Sequence, residues 1–479
     1  MFNSIHEECG VFAVFSPKTC PIAEKVYLAL YALQHRGQES CGIAVNDDGV
    51  FTHYKGDGLV PDVFTKLRLE HLGNGNIAIG HVRYSTTGGR NVNNIQPIVI
   101  RHIKGNLAVA HNGNLVNADE IRREFELKGG IFHSTSDTES IAYTISANRL
   151  NCESTEQAVE KSMYKIKGAY SCVVMTATKL IAFRDPNGFR PLCLGKMPDG
   201  GWCVSSESCA FDTIGASFVR DILPGEIVTI DSNGVHSNKV HCGKKGNICV
   251  FEYIYFARPD SVIDGASVEH ARIEAGKFLA KESPVDADIV IGVPDSGLDA
   301  ALGYSRESGI PYTIGFVKNR YIGRSFIQPS QAQRENAVKI KLNVIKENVR
   351  GKRVIMIDDS IVRGTTCASI VNLLREAGAK EVHMRVSSPA FKHPCYFGTD
   401  VDDEENLIAC KYDTVEEIAK EIGVDSLAYL SVEATSLIAK NANVGFCNGC
   451  FTGSYPIDVP KVKYKDKFEQ KMNRMSVLD

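Results

Sequence analysis

The stretch Val354-Ile-Met-Ile-Asp-Asp-Ser-Ile-Val-Arg-Gly-Thr-Thr366 decides the fold of the second half of this chain. Its first four residues are apolar, and so short a run is typical of a strand buried on both faces of a parallel sheet. Asp358 and Asp359 come directly after that run, at the carboxyl end of the predicted strand. Apolar residues then recur at helical spacing over residues 366–377, and Gly378 follows as a natural helix stop.

The turn between this strand and this helix has the chemistry of a phosphate site. A helix N-terminus presents backbone N–H groups and the positive end of its dipole to one point in space. The turn lacks the Gly-x-x-x-x-Gly-Lys-Ser/Thr pattern of nucleotide-triphosphate loops, so a kinase or an ATPase is not supported. The two acids alone fit either an ordinary strand end or a site for sugar hydroxyls or a hard cation. The Arg363-Gly-Thr-Thr366 continuation favours the site.

Residues 357–366 resemble the phosphoribosyl pyrophosphate (PRPP) signature of the type I phosphoribosyltransferases. The resemblance implies that the acidic pair contacts the ribose hydroxyls and that the following loop wraps the 5-phosphate. Because some proteins that carry this loop are regulators, the loop alone does not identify an acceptor. The residues that the resemblance assigns to PRPP are Asp358, Asp359, Ser360, Ile361, Val362, Arg363, Gly364, Thr365 and Thr366.

The region around this signature alternates strands and helices. We expect helices near residues 268–279 and 298–308, and strands near residues 288–293 and 312–316. Such alternation is typical of a doubly wound parallel sheet, whose ligands lie outside the carboxyl ends of the strands.

The family resemblance implies two further features of a PRPP site. A magnesium ion is expected at Ser296, Asp358 and Asp359, and it would rest mainly on pyrophosphate oxygens and water because a lone serine is a weak ligand. A basic loop with Gly323 as its hinge is expected to close over PRPP during turnover, although a solvated surface loop is the alternative. The cations of that loop are Lys318, Arg320 and Arg324.

Length and composition limit the classes of protein to consider. A chain of 479 residues is too long for one core and suggests two domains. A net charge of -3 gives no general attraction to nucleic acid or anionic membranes, and no apolar run approaches the ~18 residues of a membrane span. The first eight residues do not form a secretory signal. Fifteen cysteines, an odd number, without an export signal favour free thiols in the cytoplasm.

The N-terminal half carries polar clusters at the ends of short predicted strands or the starts of helices. Cys9 begins an apolar strand, and alone it would more often be a buried structural cysteine. Four clusters accompany it in the sequence: Gln34-His-Arg-Gly-Gln-Glu-Ser40, Gly80-His-Val-Arg-Tyr-Ser-Thr86, Ala110-His-Asn-Gly-Asn-Leu115 and Ser134-Thr-Ser-Asp-Thr-Glu139.

In order and spacing, these clusters resemble the class II, N-terminal-nucleophile glutamine amidotransferases over residues 9 to about 230. The resemblance implies that Cys9 is the nucleophile and that residues 1–8 are a propeptide. Removal of the propeptide would free the Cys9 α-amino group, which has a pKa near 8 and can serve as the base. Asn112 and Gly113 would donate to the oxyanion, although Asn-Gly is also a common hairpin turn.

The same resemblance assigns the residues that hold glutamine. Arg83 would bind the α-carboxylate through two hydrogen bonds, and a surface ion pair is the alternative for this residue. Asp137 would take the α-ammonium group, and Gly37 would lie where the backbone approaches the nucleophile. Together the motifs predict an α/β four-layer sandwich with two antiparallel sheets over residues 9–240. A turn-rich basic link at residues 243–247 would precede a phosphoribosyltransferase domain over residues 248–479.

A pair of cysteines two residues apart, Cys447-Asn-Gly-Cys450, lies near the end of the chain. The pair alone leaves zinc, an iron–sulfur cluster and chance open. The family resemblance matches four cysteines, including that pair, to the ligands of a structural [4Fe-4S] cluster, with zinc as the second choice. The four are Cys249, Cys395, Cys447 and Cys450.

Taken together, the two halves resemble the glutamine PRPP amidotransferases, in the branch that carries an iron–sulfur cluster. The implied reaction converts PRPP, glutamine and water to 5-phosphoribosylamine, glutamate and pyrophosphate, the first step of de novo purine synthesis. Purine nucleotides would be feedback inhibitors, and the enzyme would be a homo-oligomer, a tetramer or a dimer.

One rival function is a PRPP-sensing regulator with an inactive glutaminase domain. The other is a hexosamine-forming amidotransferase, which would need a sugar-isomerase half and no PRPP loop.

Overall fold

The computed structural model describes residues 9–84, 91–319, 341–401 and 403–460, and these form two compact units. The N-terminal unit contains residues 9–248 and two short later segments, residues 396–399 and 456–460. The C-terminal unit contains the described residues within 249–395 and 400–455. No helix among the described residues is long and apolar enough to cross a membrane.

The strands of the N-terminal unit pair antiparallel in two sheets. A seven-stranded sheet has the order β11-β9-β10-β1-β4-β2-β3, and a six-stranded sheet has the order β13-β12-β8-β7-β6-β5. The bounds are β1 Gly10–Cys20, β2 Ser40–Asp47, β3 Val50–Asp57, β4 Gly75–Arg83, β5 Ile98–His102, β6 Gly105–Asn112, β7 Ser171–Met175, β8 Leu180–Arg184, β9 Cys193–Lys196, β10 Trp202–Ser205, β11 Ser217–Asp221, β12 Ile227–Asp231 and β13 Gly234–Asn238.

Helices cover the outer faces of both sheets. Apolar residues of β1 and β6 share one core between the sheets, as Val11 and Ala110 illustrate. Val26 of α1 packs on the other face of the first sheet, and Ile141 of α5 packs on that of the second. The helices are α1 Ile22–Ala32, α2 Val60–Val63, α3 Lys66–Leu72, α4 Ala118–Glu126, α5 Asp137–Leu150, α6 Thr155–Met163 and α7 Cys209–Thr213. The predicted four-layer sandwich is confirmed.

The C-terminal unit is built around a parallel sheet of order β17-β20-β21-β22. Its strands are β14 Asn247–Cys249, which begins in the N-terminal unit, β15 Val262–Ile263, β16 Ala266–Ser267, β17 Ile289–Gly292, β18 Phe316–Lys318, β19 Leu342–Val344, β20 Arg353–Asp358, β21 Glu381–Val386, β22 Ser426–Tyr429 and β23 Gly445–Cys447. Its helices are α8 Val268–Glu282, α9 Gly297–Ser308, α10 Lys346–Val349, α11 Thr365–Glu376, α12 Ile408–Lys411, α13 Val415–Ile422, α14 Val432–Thr435 and α15 Gly449–Thr452.

The apolar run that opened the sequence analysis forms β20, between β17 and β21. Residues Val354 to Ile357 are completely buried, as expected for a strand covered on both faces. The predicted parallel sheet is therefore confirmed.

The strand expected at residues 312–316 is wrong in extent. Tyr312 forms a single parallel bridge with Val290, and the next strand, β18, begins at Phe316 and pairs with β19 instead. Ile314 is 55% exposed, so the apolar run does not continue as a buried strand.

Candidate active sites

The first candidate site lies where β1, β4 and the segment before β2 meet. Gly10 at the start of β1 pairs with Val82, so Cys9 lies opposite Arg83 at the end of β4. The Cys9 thiol donates a hydrogen bond to the Tyr84 carbonyl oxygen at 3.5 Å. A Cβ on Gly37 would lie 2.6 Å from the Arg83 nitrogen, so only glycine fits there. The structure thus brings Cys9, Gly37 and Arg83 together.

Arg83 is 5% exposed, which excludes the surface ion pair that was the alternative for this residue. It lies in strand β4, opposite Ser40 of β2. The arginine is therefore held at a buried strand end rather than on the outside of the unit.

A buried ion pair fixes the backbone of Cys9. Arg36 donates from Nε to the Cys9 carbonyl oxygen at 3.0 Å and from Nη1 to Glu207 at 2.6 Å. The side chains of Arg36 and Glu207 are both fully buried. Burial raises the pKa of Glu207, but the positive charges of His35 and Arg36 outweigh it and hold the pKa well below its ordinary value. The pair therefore stabilises the fold above the ordinary glutamate pKa, and this contribution is lost as the pH falls.

A hydrogen bond joins the two sheets at this end of the sandwich. His81 Nε2 donates to the His111 carbonyl oxygen at 3.1 Å, and burial lowers the pKa of His81 to about 3, so His81 is neutral. Arg83 lies two residues after His81, and Asn112 lies one residue after His111. The bond therefore places the predicted carboxylate-binding and oxyanion residues at the same end of the unit.

The Asn112 side chain is a buried donor that the described residues leave unpaired. Its Nδ2 atom is buried and has no hydrogen-bond partner among them. Leaving such a donor unpaired costs about 1–3 kcal/mol, so the group is suited to a ligand oxygen.

Gly113 follows directly, with a φ of 125°, and a Cβ there would lie 2.3 Å from the Ala169 carbonyl oxygen. The chain continues from Gly113 to α4 and not into a paired strand, so the hairpin alternative is wrong.

Asp137 is the first residue of α5, whose N-cap is Ser136. Its Oδ2 accepts from the Leu115 N–H at 2.9 Å, and its Oδ1 lies 3.6 Å from His111 Nδ1. Burial alone would raise the pKa of Asp137, but His111 and the backbone donors lower it below its ordinary value. The Asp137 carboxylate is therefore held in its ionised form. It contacts His111, the residue before Asn112, and an ionised carboxylate suits the predicted ammonium group.

The second candidate site lies at the carboxyl end of β20. Ser296, next to the start of α9, donates its hydroxyl to Asp359, and Ser360 donates to the other oxygen of the same carboxylate. The Asp359 N–H donates to Asp358 at 2.9 Å. Burial, and then the charge of Asp359, raises the pKa of Asp358 well above its ordinary value. Burial also raises the pKa of Asp359, against the two serine hydroxyls.

The loop after the acids reaches α11, which begins at Thr365. The side chains of Ile361 and Val362 are buried, and Val362 accepts a hydrogen bond from the Ile408 N–H at 2.8 Å. These two residues therefore have only their backbone to offer a ligand. Gly364 is the N-cap of α11, so the loop delivers the chain directly to the N-terminus of that helix.

Lys318 belongs to the same region because its ammonium group pairs with Asp295, the neighbour of Ser296. Its side chain is 44% exposed and reaches solvent. Arg320 and Arg324, predicted for the same loop, lie outside the described residues.

The four cysteines predicted to bind a cluster lie close together in the C-terminal unit. Burial, and then the charges of Cys395, Cys249 and Cys447, raises the pKa of the Cys450 thiol well above its ordinary value. Cys249 and Cys447 are buried, and Cys395 and Cys450 are partly buried. Among the described residues, however, no group of three or more His, Cys, Asp or Glu side chains is arranged to hold a metal ion.

Comparison with known proteins matches each half of the chain to a domain family. Residues 81–213 match the glutamine amidotransferase domain, and residues 268–418 match the phosphoribosyl transferase domain. Amidophosphoribosyltransferase from Methanocaldococcus jannaschii is 49% identical over 466 residues, which cover 94% of this chain and 98% of the relative. The enzyme of the same name from Bacillus subtilis is 48% identical over 462 residues, which cover 95% and 96%. The chain belongs to the amidophosphoribosyltransferase family.

Two solved structures agree with that family membership. One, described as the allosteric regulatory enzyme of purine biosynthesis, has a TM-score of 0.88 at 47% identity and covers 95% of this chain and 97% of that one. The other is the glutamine PRPP amidotransferase of B. subtilis complexed with ADP and GMP, with a TM-score of 0.87 at 46% identity, covering 95% and 98%. The predicted amidophosphoribosyltransferase activity is confirmed, and nothing supports a purely regulatory PRPP sensor.

The structure adds residues to the glutaminase half of this amidophosphoribosyltransferase that motif reading missed. Arg36, His81 and His111 lie within the quoted clusters, but the sequence did not indicate that they touch the backbone of Cys9 or join the two sheets. Glu207 is 171 residues from Arg36, and no local pattern marked it.

We expect Glu207→Gln to lower the free energy of unfolding of the N-terminal unit by roughly 3–5 kcal/mol, because Arg36 would stay buried without a counterion. Asp199→Asn is the control, since it breaks the partly exposed Lys25–Asp199 pair and should cost under about 1 kcal/mol. Urea unfolding followed by the fluorescence of Trp202, the single tryptophan of the chain, measures both losses in this unit. Equal losses in the two variants would contradict the assignment.

Proposed function

We propose that the N-terminal unit hydrolyses the amide of glutamine at Cys9 and that the C-terminal unit transfers the released ammonia to PRPP. The observation that carries the first half is the buried Asn112 amide, which has no acceptor among the described residues and lies at the same sandwich end as Cys9. The Cys9 thiolate attacks the amide carbon, and Asn112 Nδ2 and the Gly113 N–H donate to the oxygen that becomes negative. Ammonia leaves with a proton, and water then hydrolyses the thioester to glutamate.

The base in this scheme is the α-amino group of Cys9 after residues 1–8 are removed. An amine with a pKa near 8 takes the thiol proton at neutral pH and returns it to the departing nitrogen. N-terminal sequencing of the purified protein tests the proposal. A chain that starts at Met1 and still forms glutamate at full rate would overturn it.

Three residues would hold the amino-acid end of glutamine. Arg83 suits a carboxylate through two parallel hydrogen bonds, and the low-pKa carboxylate of Asp137 suits an ammonium group. Gly37 lies against the Arg83 backbone, where a Cβ would not fit, and its own backbone would face the substrate beside Cys9. Because both charged groups of glutamine lie at its amino-acid end, this pair of opposite charges would select glutamine over a simple amide.

We expect Asn112→Ala to lower the kcat for glutamine hydrolysis by about 100- to 1,000-fold, because one oxyanion donor is lost. Synthesis of phosphoribosylamine from added ammonia should stay unchanged. Asn106→Ala is the matched control: it removes the same side chain from the same strand, where Asn106 donates to the Gly49 carbonyl oxygen. Steady-state assays with glutamine and with ammonia compare the variants, and loss of both activities would contradict the assignment.

PRPP would bind at the carboxyl end of β20. Asp358 and Asp359 would accept from the ribose hydroxyls, and the backbone of residues 360–364 with the hydroxyls of Thr365 and Thr366 would bind the 5-phosphate. Arg363 would add positive charge beside the phosphate. Lys318, with Arg320 and Arg324 as predicted, would stabilise the departing pyrophosphate.

Magnesium fits the oxygen donors of this site, which are Ser296, Asp358 and Asp359. Two adjacent carboxylates that burial pushes towards their protonated forms are a favourable place for a hard cation. When bound, the ion would offset the negative charge of pyrophosphate. Titration calorimetry of PRPP with and without magnesium tests this, and binding that does not depend on the metal would refute it.

The amidotransferase reaction requires that ammonia from Cys9 is not lost to bulk water. Ammonia is protonated at neutral pH and is then no longer a nucleophile, so a closed apolar passage to PRPP follows from the chemistry. The anomeric carbon of PRPP would develop cationic character as pyrophosphate leaves, and ammonia would attack it.

The four clustered cysteines fit a structural [4Fe-4S] cluster, because thiolates are the protein ligands of such clusters and the Cys450 thiol has the other three as its electrostatic neighbours. Zinc with four thiolates is the rival. The cluster would be held by Cys249, Cys395, Cys447 and Cys450.

Metal and sulfide analysis of anaerobically purified protein should find iron and acid-labile sulfide in about equal amounts, and Cys447→Ser should abolish both. Cys410→Ser is the control, because Cys410 is an exposed free thiol outside the group and its loss should leave the metal content unchanged. A colourless protein that contains zinc would overturn the cluster assignment.

Regulation and assembly extend the same proposal. A related structure is complexed with ADP and GMP, which supports purine nucleotides as feedback inhibitors, and competition of GMP with PRPP in initial-rate assays would test it. We propose a homo-oligomer, a tetramer or a dimer, which sedimentation equilibrium would measure. The odd number of cysteines, fifteen, supports a reducing cytoplasmic location.

A further inference from the structure

Gly113 is enclosed on two sides by backbone. On one side a Cβ would lie 2.3 Å from the Ala169 carbonyl oxygen. On the other side lies Gly398, which belongs to the short segment Tyr396–Thr399 of the N-terminal unit. A Cβ on Gly398 would lie 3.3 Å from the Gly113 Cα atom and 3.5 Å from its carbonyl carbon. A piece of chain from almost 300 residues away thus lies against the proposed oxyanion residue.

Arg190 holds this segment in place. Its side chain is completely buried and donates to the Phe397 carbonyl oxygen from Nε at 3.1 Å and from Nη2 at 2.7 Å. Nη2 also lies 3.3 Å from the Thr399 hydroxyl oxygen. The Phe397 ring stacks on Phe189 at 4.2 Å between centroids and 15° between planes. Two hydrogen bonds to one carbonyl, with a stacked ring beside them, fix both the position and the direction of the segment.

Arg190 is itself tied to the strand next to Asn112. The Arg190 carbonyl oxygen accepts from the Ser171 hydroxyl at 2.9 Å and from Arg184 Nε at 2.7 Å. Ser171 is the residue opposite Asn112 in the register of β7 and β6. We call Arg190 and the segment Tyr396–Thr399 the clamp. The clamp and Asn112 are therefore both attached to strand β7 through Ser171.

We propose that Arg190 and the segment Tyr396–Thr399 form a positioning device for the oxyanion hole, which holds the Gly113 N–H in the direction of the developing negative charge. The proposal rests on the glutaminase function proposed for Cys9. An oxyanion donor acts in the transition state only when it lies at hydrogen-bond distance from the new charge, so a shift of a few tenths of an ångström reduces kcat. The substrate's amino-acid end is bound elsewhere, so KM for glutamine should hardly change.

Gly398→Ala is the sharpest test, because Gly398 has a φ of 116° and a Cβ there would lie 3.1 Å from Arg190 Nη2 and 3.3 Å from the Gly113 Cα atom. We expect kcat for glutamine hydrolysis to fall at least tenfold with KM within about twofold. Ammonia-dependent synthesis and the rate at which iodoacetamide alkylates Cys9 should stay unchanged. Gly200→Ala is the matched control, since Gly200 also has a positive φ, 88°, but a Cβ there meets nothing within 4 Å.

A second pair of variants tests the clamp without adding a side chain to Gly398. Arg190→Gln should lower the same kcat, and Arg190→Lys should restore part of it, because a lysine keeps the charge and one donor to the Phe397 carbonyl. If Gly398→Ala does not fold, this pair decides the question in the same assays.

Three outcomes would overturn the positioning proposal: kcat unchanged in Gly398→Ala, a rise in KM alone, or an equal loss of ammonia-dependent synthesis. Failure of the glutaminase proposal gives a different result. In that case Cys9→Ser would keep its glutamine-dependent activity, independently of the result for Gly398→Ala.

Discussion

The hydrogen bond from His81 to the His111 carbonyl is the contact on which the glutaminase half depends. It joins two antiparallel sheets that share an apolar core, and it does so one or two residues before Arg83 and Asn112. Burial lowers the pKa of His81 to about 3, so the bond forms without placing a charge in the core. With this bond in place, Arg83 from one sheet and Asn112 from the other lie at the same end of the sandwich.

Around that bond, two charged groups of the site are buried and held by partners of suitable chemistry. Arg36 is neutralised by Glu207 and fixes the backbone of Cys9, and Asp137 accepts from backbone and histidine. The Asn112 amide, in contrast, has no acceptor among the described residues, and near it the Ser40 hydroxyl and His81 Nδ1 also lack a partner there. Because Asn112 Nδ2 is a donor next to Gly113, a ligand oxygen at that point would satisfy it.

In the phosphoribosyltransferase half, a parallel sheet brings the polar groups of the candidate site together. Parallel strands deliver their carboxyl ends to one edge, so β20 brings Asp358 and Asp359 beside Ser296 at the start of α9. The loop then passes directly into α11, whose N-terminal dipole favours phosphate. Burying two adjacent carboxylates costs free energy, and the proposed cation or ribose hydroxyls would offset that cost.

Local pattern predicted most of the strands and helices, and the family resemblance of short motifs assigned the candidate site residues. The apolar run before Asp358 indicates a buried strand by itself, whereas Cys9 and the Asn112-Gly113 pair are ambiguous alone and gained their predicted roles from the order and spacing of the clusters. The error at residues 312–316 arose because an apolar run resembles a buried strand whether or not it is covered. The contacts of Glu207, Arg190 and Gly398 were determined only by the tertiary structure. Their partners lie far along the chain, and no periodicity connects residues that meet only when the sheets pack.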